Sequence, residues 1–501
     1  MTHPDWNALE ALDRPTLKAL FDAEDDRVAP LSVDIAGIHF DWSKTHLSPE
    51  VLGWFEPAAA TAGLAEKRDA LFAGEAVNVT EGRAAEHTAE RGEGAPHSVE
   101  RARGLHARMR ALIDAIEIEA LGPVRHVLHV GIGGSALGPD LLMDALGRDS
   151  GRYDVAIVSN VDGLALEEAI RDFDPAATLL VIASKTFTTT ETMLNAASAV
   201  QWMTEHGVAD PYGQVIALTA SPDKAIEWGV DETRVLPFNE AVGGRYSLWS
   251  SIGFPAALGL GWGAFEQMLE GAAEMDRHFR LSDWSKNAPV LAAFADLYYA
   301  QARGCETRAT FAYDERLRLL PSYLQQLEME SNGKGVTTNG EKVTRPTAPI
   351  TWGGVGTDGQ HAVFQLLHQG TRLVPVEFVA VIEQEDVFSD DHHRQLLLNC
   401  FAQGAALMAG KGHDDPARAY PGDRPSSTLL LDTLDPRTLG ALLAFYEHRT
   451  FVSAAMLGIN PFDQFGVELG KEMARSLDDP DAPPFDPSTQ ALIERAFATV
   501  D

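Results

Sequence analysis

Short apolar runs alternate with amphipathic stretches of helical period through most of this chain. Between residues 126 and 238 five apolar runs rich in β-branched residues predict strands, and they read HVLHVGI, VAIVSN, TLLVIAS, QVIALT and TRVLPF. Buried strands that alternate with helical crossovers are typical of a parallel α/β sheet. The first ~100 residues show no such alternation and read as helices and loops.

A second series of strands follows a helical connector at roughly residues 255–300. Its runs are ATFAYD, APITWGG, LVPVEFVAVI and STLLLDTL, and helical stretches such as HHRQLLLNCFAQGAALMAG lie between them. A Pro-, Gly- and Asp-rich stretch at 413–427 predicts a surface loop, and the tail after residue 476 predicts a loop and one last helix. We therefore predict two consecutive α/β domains.

Charge and composition narrow the class of protein. The 501 residues carry a formal net charge of −33, which argues against nucleic acid and anionic membranes as partners. The two cysteines, Cys305 and Cys400, lie far apart, and no Cys/His cluster has zinc spacing. We see neither a signal peptide nor an apolar run long enough to span a membrane. The sequence predicts a soluble, cytoplasmic protein.

A glycine-rich loop follows the first predicted strand. Its sequence, GIGGSA at 131–136, fits a variant of the dinucleotide fingerprint. The acidic residue expected at the end of the next strand is missing, because Ser159 and Asn160 stand there, and no P-loop motif for a nucleoside triphosphate occurs. A phosphate monoester held by backbone N–H groups and by the hydroxyl of Ser135 remains. A simple tight turn would also account for the glycines.

A second loop rich in hydroxyls follows the third strand. Thr188 and Glu191 have the spacing of a capping box, so a helix should begin here. Neighbouring parallel strands would bring this loop and the glycine-rich loop to one edge of the sheet, where ligands bind in such folds. Capping alone would explain any one of the threonines. The candidate phosphate-binding side chains here are those of Ser184, Lys185, Thr186 and Thr189.

Four other stretches carry residues suited to acid–base chemistry. Arg245 follows the Gly243–Gly244 pair and could stabilise an oxyanion. Gln326 and Glu330 stand four apart on a predicted helix, so an amide and a candidate base share one face. Each residue also has a structural reading, as a surface arginine, an exposed helical glutamate or a solvated lysine. The two further candidates are His361 at a predicted helix start and Lys471 in a Gly-punctuated stretch.

Taken together, these stretches resemble the glucose-6-phosphate isomerase (phosphoglucose isomerase) family. The resemblance covers nearly the whole chain and runs through motifs in family order: DWSKTHLS, NVTEGRAAEHTA, GIGGSALGP, SNVDG, SKTFTTTETMLNA, VGGRYSLWSSIG, QQLEMESNGK, GTDGQHAVFQLLHQG, AYPGDRPSS, LLAFYEHRTFV and PFDQFGVELGK. It implies two sugar-isomerase domains, each a three-layer α/β/α sandwich around a mostly parallel sheet. The implied parts are a helical N-terminal segment packing on the second domain (1–120), a first sugar-isomerase domain (121–262), a helical connector (263–304), a second sugar-isomerase domain (305–465) and a C-terminal helical extension (466–501).

The resemblance also assigns roles to the candidate residues. Glu330 would move the proton between C2 and C1 of the sugar, Arg245 would steady the enediolate, and Lys471 would open the ring together with His361. That histidine would come from the other subunit of a homodimer. No metal and no cofactor is implied. The implied substrate-binding residues are Gly134, Ser135, Ser184, Lys185, Thr186, Thr189, Gly244 and Gln326.

The chain departs from the family pattern near these motifs, at Ala136, Ala241, Pro461, Glu86 and Glu90. Three alternative functions stay open. A non-catalytic phosphosugar sensor would keep the phosphate loops but would not need Glu330, His361 and Lys471 together. An isomerase that also accepts mannose 6-phosphate would differ only in pocket shape. A nicotinamide-dependent dehydrogenase is disfavoured by the missing ribose-binding acid.

Overall fold

The computed structural model describes residues 4–148, 152–385, 387–477, 479 and 482–497. One compact unit extends to Phe462, and residues from Asp463 onward form a second. The described residues of the second unit include the α-helices α18 (Glu468–Leu477) and α19 (Pro487–Phe497), the latter at the position predicted for the last helix.

The N-terminal region combines helices with a β-hairpin that the sequence analysis did not predict. The hairpin turns at Ala36 and Gly37, which both have positive φ. Its strands alternate buried and more exposed residues, as a half-buried pair should. The elements are α1 (Trp6–Glu10), α2 (Leu17–Ala23), β1 (Ser32–Ile35), β2 (Ile38–Asp41), α3 (Pro49–Thr61), α4 (Leu64–Phe72), α5 (His87–Glu90) and α6 (Pro96–Glu117).

The first sheet is fully parallel, with the strand order β4-β3-β5-β6-β7. All five strands lie where the apolar runs predict them. β5 is buried at every position because helices cover both faces of the sheet, as parallel sheets require. The elements are β3 (His126–Val130), α7 (Leu137–Leu146), β4 (Asp154–Val158), α8 (Gly163–Ile170), β5 (Thr178–Ala183), α9 (Thr190–Glu205), β6 (Val215–Thr219), α10 (Pro222–Trp228) and β7 (Val235–Pro237).

Three helices connect this sheet to the second one. They are α11 (Phe254–Gly259), α12 (Trp262–Leu281) and α13 (Ala288–Leu297). The second sheet has the order β1-β2-β11-β10-β8-β9, in which the N-terminal hairpin pairs antiparallel with β11 and the other strands are parallel. Its elements are β8 (Thr307–Tyr313), α14 (Leu320–Leu324), β9 (Ile350–Val355), α15 (Asp358–Gln369), β10 (Val376–Val381), α16 (Asp390–Ala409), β11 (Ser426–Leu431) and α17 (Pro436–Leu457).

A large apolar core joins the two sheets, and α17 runs through it. Every residue of this helix from Thr438 to Leu457 is buried, including its charged side chains, and Asp435 caps its first turn. Alternate strand residues face this core, and the remaining ones face two smaller cores under the outer helices. Each sheet is thus the middle of three layers. The predicted α/β fold class is confirmed, while the predicted domain boundaries stay predictions.

Candidate active site

Two loops meet at the carboxyl edge of the first sheet where the strand order reverses. β3 and β5 are parallel neighbours, although the chain passes through β4 between them. In open α/β sheets, ligands bind outside the carboxyl ends of the strands at such a switch point. We call residues 131–136, after β3, the glycine loop and residues 184–189, after β5, the threonine loop. Residues 239–245, after β7, are the arginine loop.

The glycine loop is shaped by a close contact with the arginine loop. Gly133 has a φ of +57°, a conformation that favours glycine. A Cβ on Gly134 would lie 2.1 Å from the carbonyl carbon of Gly244, so the two backbones touch where no side chain fits. The chain then enters α7 at Leu137. A contact between two distant parts of the chain therefore requires the glycine at position 134.

His129 supports the glycine loop from inside the sheet, and sequence reasoning missed it. Its side chain is fully buried on β3, and Nε2 lies 2.7 Å from the carbonyl oxygen of Ser135. Burial lowers the pKa of His129 to about 4. The ring is therefore neutral at pH 7, and because a carbonyl only accepts, Nε2 carries the proton. A histidine inside an apolar strand was the available signal.

The threonine loop carries its hydroxyl groups in pairs. Ser184 Oγ lies 3.1 Å from Thr189 Oγ1, and Thr186 Oγ1 lies 2.8 Å from Thr188 Oγ1. The predicted capping box is wrong: Thr189 is the N-cap of α9, and no side chain caps the helix. The reason is that both candidate hydroxyls are used within the loop, since that of Thr188 pairs with Thr186 and that of Thr189 pairs with Ser184. The loop thus leaves the first N–H groups of α9 without side-chain partners beside several hydroxyls.

Lys185 ties the threonine loop to the arginine loop. Its Nζ donates to the carbonyl oxygens of Glu240, at 2.8 Å, and Val242, at 3.4 Å. Burial, assisted by the nearby charge of Arg83, lowers the pKa of Lys185 to about 8. The ammonium group is therefore still charged at pH 7, but it loses its proton at a lower pH than an exposed lysine does.

Arg245 is buried at the end of the arginine loop. Nε donates to Ser331 Oγ at 2.6 Å, and Nη2 donates to the carbonyl oxygen of Pro461. Nη1 lies 3.6 Å from Oε2 of Glu330. The two hydrogen bonds and the ion pair orient the guanidinium, which is the preorganisation that charge stabilisation requires. Pro461, one of the departures from the family pattern, takes part through its backbone.

Gln326 and Glu330 lie on a π-helical turn, Gln325–Glu330, which continues α14. The sequence pattern predicts a regular α-helix here, so the π-turn is a departure from that prediction. Strands of the second sheet hold the turn in place, because the Glu328 carboxylate accepts hydrogen bonds from Arg308 on β8 and from Thr351 on β9. Single π-turns inserted in α-helices occur frequently at functional sites. The two candidate side chains therefore stand on an element braced by the second sheet.

One oxygen of the Glu330 carboxylate lacks a hydrogen-bond donor among the described residues. This oxygen, Oε2, is buried. The side chain is 17% exposed, so one side of it faces outward. Gln326 lies close by, with its amide against Gly133 of the glycine loop. A carboxylate with a free lone pair, next to a fixed guanidinium, is suited to accept a proton from carbon.

The two remaining predicted catalytic residues are His361 and Lys471. His361 is exposed on α15, which begins after Thr357, a residue with a φ of +52°. Lys471 lies on α18 in the second unit and pairs with Glu468 at 3.0 Å. Of the predicted substrate-binding residues, Ser184 is buried, Thr186 is exposed, and Ser135, Lys185 and Thr189 are partly buried. Their roles stay predictions.

Two other kinds of feature, a cluster of metal ligands and a membrane-spanning helix, are absent from the part of the chain that the structure describes. There, no group of three or more His, Cys, Asp or Glu side chains could hold a metal ion. Likewise, no helix among the described residues is both long and apolar enough to cross a membrane.

Comparison with known proteins identifies the family of the chain. The family model for phosphoglucose isomerase matches residues 41–493. The glucose-6-phosphate isomerase of Rhizorhabdus wittichii is 72% identical over 492 residues, which are 98% of each chain. That of Zymomonas mobilis is 62% identical over 493 residues, 98% of this chain and 97% of the relative. The crystal structure of a glucose-6-phosphate isomerase from Chlamydia trachomatis superposes with a TM-score of 0.89 at 30% identity, covering 99% of this chain and 98% of that one. The resemblance found in the sequence motifs is thereby confirmed, and the chain belongs to the phosphoglucose isomerase family.

Proposed function

We propose that this protein interconverts D-glucose 6-phosphate and D-fructose 6-phosphate, as an aldose–ketose isomerase of glycolysis and gluconeogenesis. The observation that carries the proposal is the buried Glu330 oxygen 3.6 Å from the fixed guanidinium of Arg245. This pair stands beside two loops that suit a phosphate group. Relatives that are 62–72% identical bear the name of this activity.

The substrate phosphate would bind between the glycine and threonine loops. Backbone N–H groups at the starts of α7 and α9 point their partial positive charge toward this edge. The hydroxyls of Ser135, Ser184, Thr186 and Thr189 would add directional hydrogen bonds, and Gly134 and Gly244 would let the backbone approach. Lys185 would supply a full positive charge. In a chain of net charge −33, this local arrangement is what allows an anion to bind.

Glu330 would carry the proton in the isomerisation step. It takes the proton from C2 of the open aldose, and the C–H electron pair forms the C1–C2 double bond of a cis-enediolate. The former carbonyl oxygen becomes negative and faces Arg245. Glu330 then returns its proton to C1, while the hydroxyl proton on O2 moves to O1 and C2 becomes the ketone. Oxidation and reduction balance within the substrate, so the proposed reaction needs no redox cofactor. Arg245 would stabilise the enediolate charge in place of a metal ion.

Ring opening needs a second pair of groups. One must take the proton of the C1 hydroxyl and the other must deliver a proton to the ring oxygen. We assign these tasks to Lys471 and to His361 of the partner subunit in a homodimer. His361 is exposed on α15, as a residue donated to a neighbouring site should be. Gln326 would hold substrate hydroxyls.

Exposed apolar side chains near His361 support the homodimer. Leu366 follows it on α15, and Leu398 and Phe401 stand on α16; each is between 43% and 46% exposed. Large apolar side chains exposed on two hydrogen-bonded helices suit an interface with a second copy of the chain. A cytoplasmic location completes the proposal.

A coupled assay tests the function. Purified protein with fructose 6-phosphate should produce glucose 6-phosphate without added metal and equally in EDTA, and solvent deuterium should enter at C2. Loss of activity on chelation, restored by a divalent ion, would refute a metal-free mechanism. Binding without turnover would instead indicate a phosphosugar sensor. Parallel assays with mannose 6-phosphate decide whether the pocket accepts the epimer.

A further inference from the structure

The arginine loop links the parts of the candidate site. Lys185 of the threonine loop donates to its carbonyl oxygens, Gly134 of the glycine loop packs against Gly244, and Arg245 stands at its end. A displacement of this loop would therefore move the proposed phosphate-binding groups relative to Glu330.

The loop has little side-chain packing of its own. Val242 is fully buried, but the residues beside it are Ala241 and the glycine pair at 243–244. Hydrogen bonds must therefore hold the loop in its position. Bonds within the loop do not attach it to the rest of the protein, so the ones that matter run to other elements.

Glu86 supplies that attachment through a closed ring of hydrogen bonds. Its backbone N donates to the carbonyl oxygen of Ala241 at 3.0 Å. The backbone N of Ala241 donates to Asn239 Oδ1 at 3.1 Å. The ring closes where the Asn239 amide donates to the Glu86 carboxylate. Two residues of the loop are thus held by both the main chain and the side chain of one glutamate.

The Glu86 carboxylate is itself held from α6. Ser98 Oγ donates to its Oε1 at 2.6 Å, and Arg101 donates to its Oε2. The Glu86 side chain is only 6% exposed, whereas that of Arg101 is 48% exposed. A buried carboxylate is costly unless it is well bonded, and here its bonds run to a helix on one side and to the arginine loop on the other.

We infer that Glu86 is a positioning residue for the isomerase reaction, acting through the arginine loop on Arg245 and Lys185. The inference rests on the proposed function. Glu86 touches no group assigned to the chemistry, so its removal should act through displacement of the loop. Displacements of about 1 Å at a site lower rates by up to ~10²-fold.

The test compares Glu86→Gln, Asn239→Asp and the double variant. In Glu86→Gln two amides face each other across the ring, and in Asn239→Asp two carboxylates do. The double variant again places one amide opposite one carboxylate, with the roles exchanged. The half-exposed Arg101 must then turn away, because it donates to the same Glu86 oxygen as Asn239 does. We expect each single variant to lower kcat/KM by roughly 10- to 100-fold, and the double variant to recover part of that loss. Asn239→Ala, which leaves the buried carboxylate bonded to α6, serves if the Glu86 variants fail to fold.

Hydrogen exchange in peptides covering 239–248 gives a readout that does not depend on activity. Exchange should rise in the single variants and fall again in the double variant. Asp423→Asn is the control. Like Glu86, Asp423 is a carboxylate that links distant parts of the chain by hydrogen bonds, here to the His46 ring and to the backbone N of Leu17, but it contacts none of the three loops. It should lower the melting temperature without changing kcat/KM.

Three results have separate meanings. If the Glu86 and Asn239 variants melt earlier but keep wild-type kcat/KM and exchange, the positioning role is wrong. If they lose activity and the double variant does not regain any, the ring is not what carries the effect and the inference also fails. If the wild-type protein does not isomerise the sugar phosphates, the proposed function fails, while the exchange data still decide whether Glu86 fixes the loop.

Discussion

Replacing Gly134 by alanine would force apart the two loops on which the candidate site depends. The new Cβ would lie 2.1 Å from the carbonyl carbon of Gly244, 2.3 Å from its oxygen and 2.5 Å from the backbone N of Arg245. All three are backbone atoms, so no side chain can rotate away. Carbon atoms settle at ~3.5 Å, so the loops must separate by about 1.4 Å.

That displacement sets the expected magnitude. A misplacement of about 1 Å costs on the order of 10²-fold in rate, so kcat/KM should fall about 100-fold. Overpacking of a tight contact costs about 1–3 kcal/mol of folding stability, so the protein should still fold. The assay is formation of glucose 6-phosphate from fructose 6-phosphate, with the free energy of unfolding measured in parallel.

Two matched alanine substitutions separate the clash from the loss of a glycine. Gly104 lies on α6 and Gly244 on the arginine loop, and a Cβ on either would meet no atom within 4 Å. Gly104→Ala should leave activity unchanged and stabilise the helix by about 0.5–1 kcal/mol. Gly244→Ala should fold normally but raise KM, because its Cβ would enter the space proposed for substrate. If Gly134→Ala keeps activity within twofold of wild type, the contact does not set the site geometry.

Four further results are expected. Glu330→Gln should lower kcat by about 10²–10⁴-fold and abolish deuterium entry at C2, while a six-carbon phosphosugar acid still binds; near-normal exchange would place the base elsewhere. Thr189→Val should weaken the binding of that acid but not the binding of its unphosphorylated parent. In the wild-type protein, 0.5 M salt should weaken the binding of the acid only modestly. Equal inhibition constants in wild type and variant would show that Thr189 does not contact the phosphate. Affinity for the phosphorylated acid should fall as the pH rises past about 8, where Lys185 loses its proton, and Lys185→Arg should flatten that profile. Because the folded-state pKa of Lys185 lies below the 10.5 of a free lysine, the unfolded chain binds more protons between pH 8 and 10.5, so this group makes the free energy of unfolding rise with pH across that window.

The sequence predicts the strands well because both faces of each sheet are covered. A strand buried on both faces must be apolar throughout, and β5 and β10 are such strands. The glycine and threonine loops were found for a related reason, since a ligand edge needs glycines and hydroxyls in short stretches after strands.

What the sequence does not reveal depends on which side chains contact each other in the folded protein. The π-turn is braced by Arg308 and Thr351, which contact Glu328 from two strands. The Thr189 hydroxyl turns to Ser184 instead of capping α9. His129 reads as a misplaced polar residue until its bond to Ser135 is seen. Each is a pairwise contact whose partner no local pattern specifies.

The position of the N-terminal hairpin has a consequence for how the protein is made. Strand β2 pairs with β11, so residues 38–41 must wait for residues 428–431. At ~5–20 residues per second, the ribosome supplies that partner about 20–80 s later. The first sheet, with its strands within residues 126–237, can form during this interval, whereas the hairpin stays unpaired along one edge. An unpaired edge invites pairing with other chains, so slowed translation between the two segments should favour aggregation of the nascent protein.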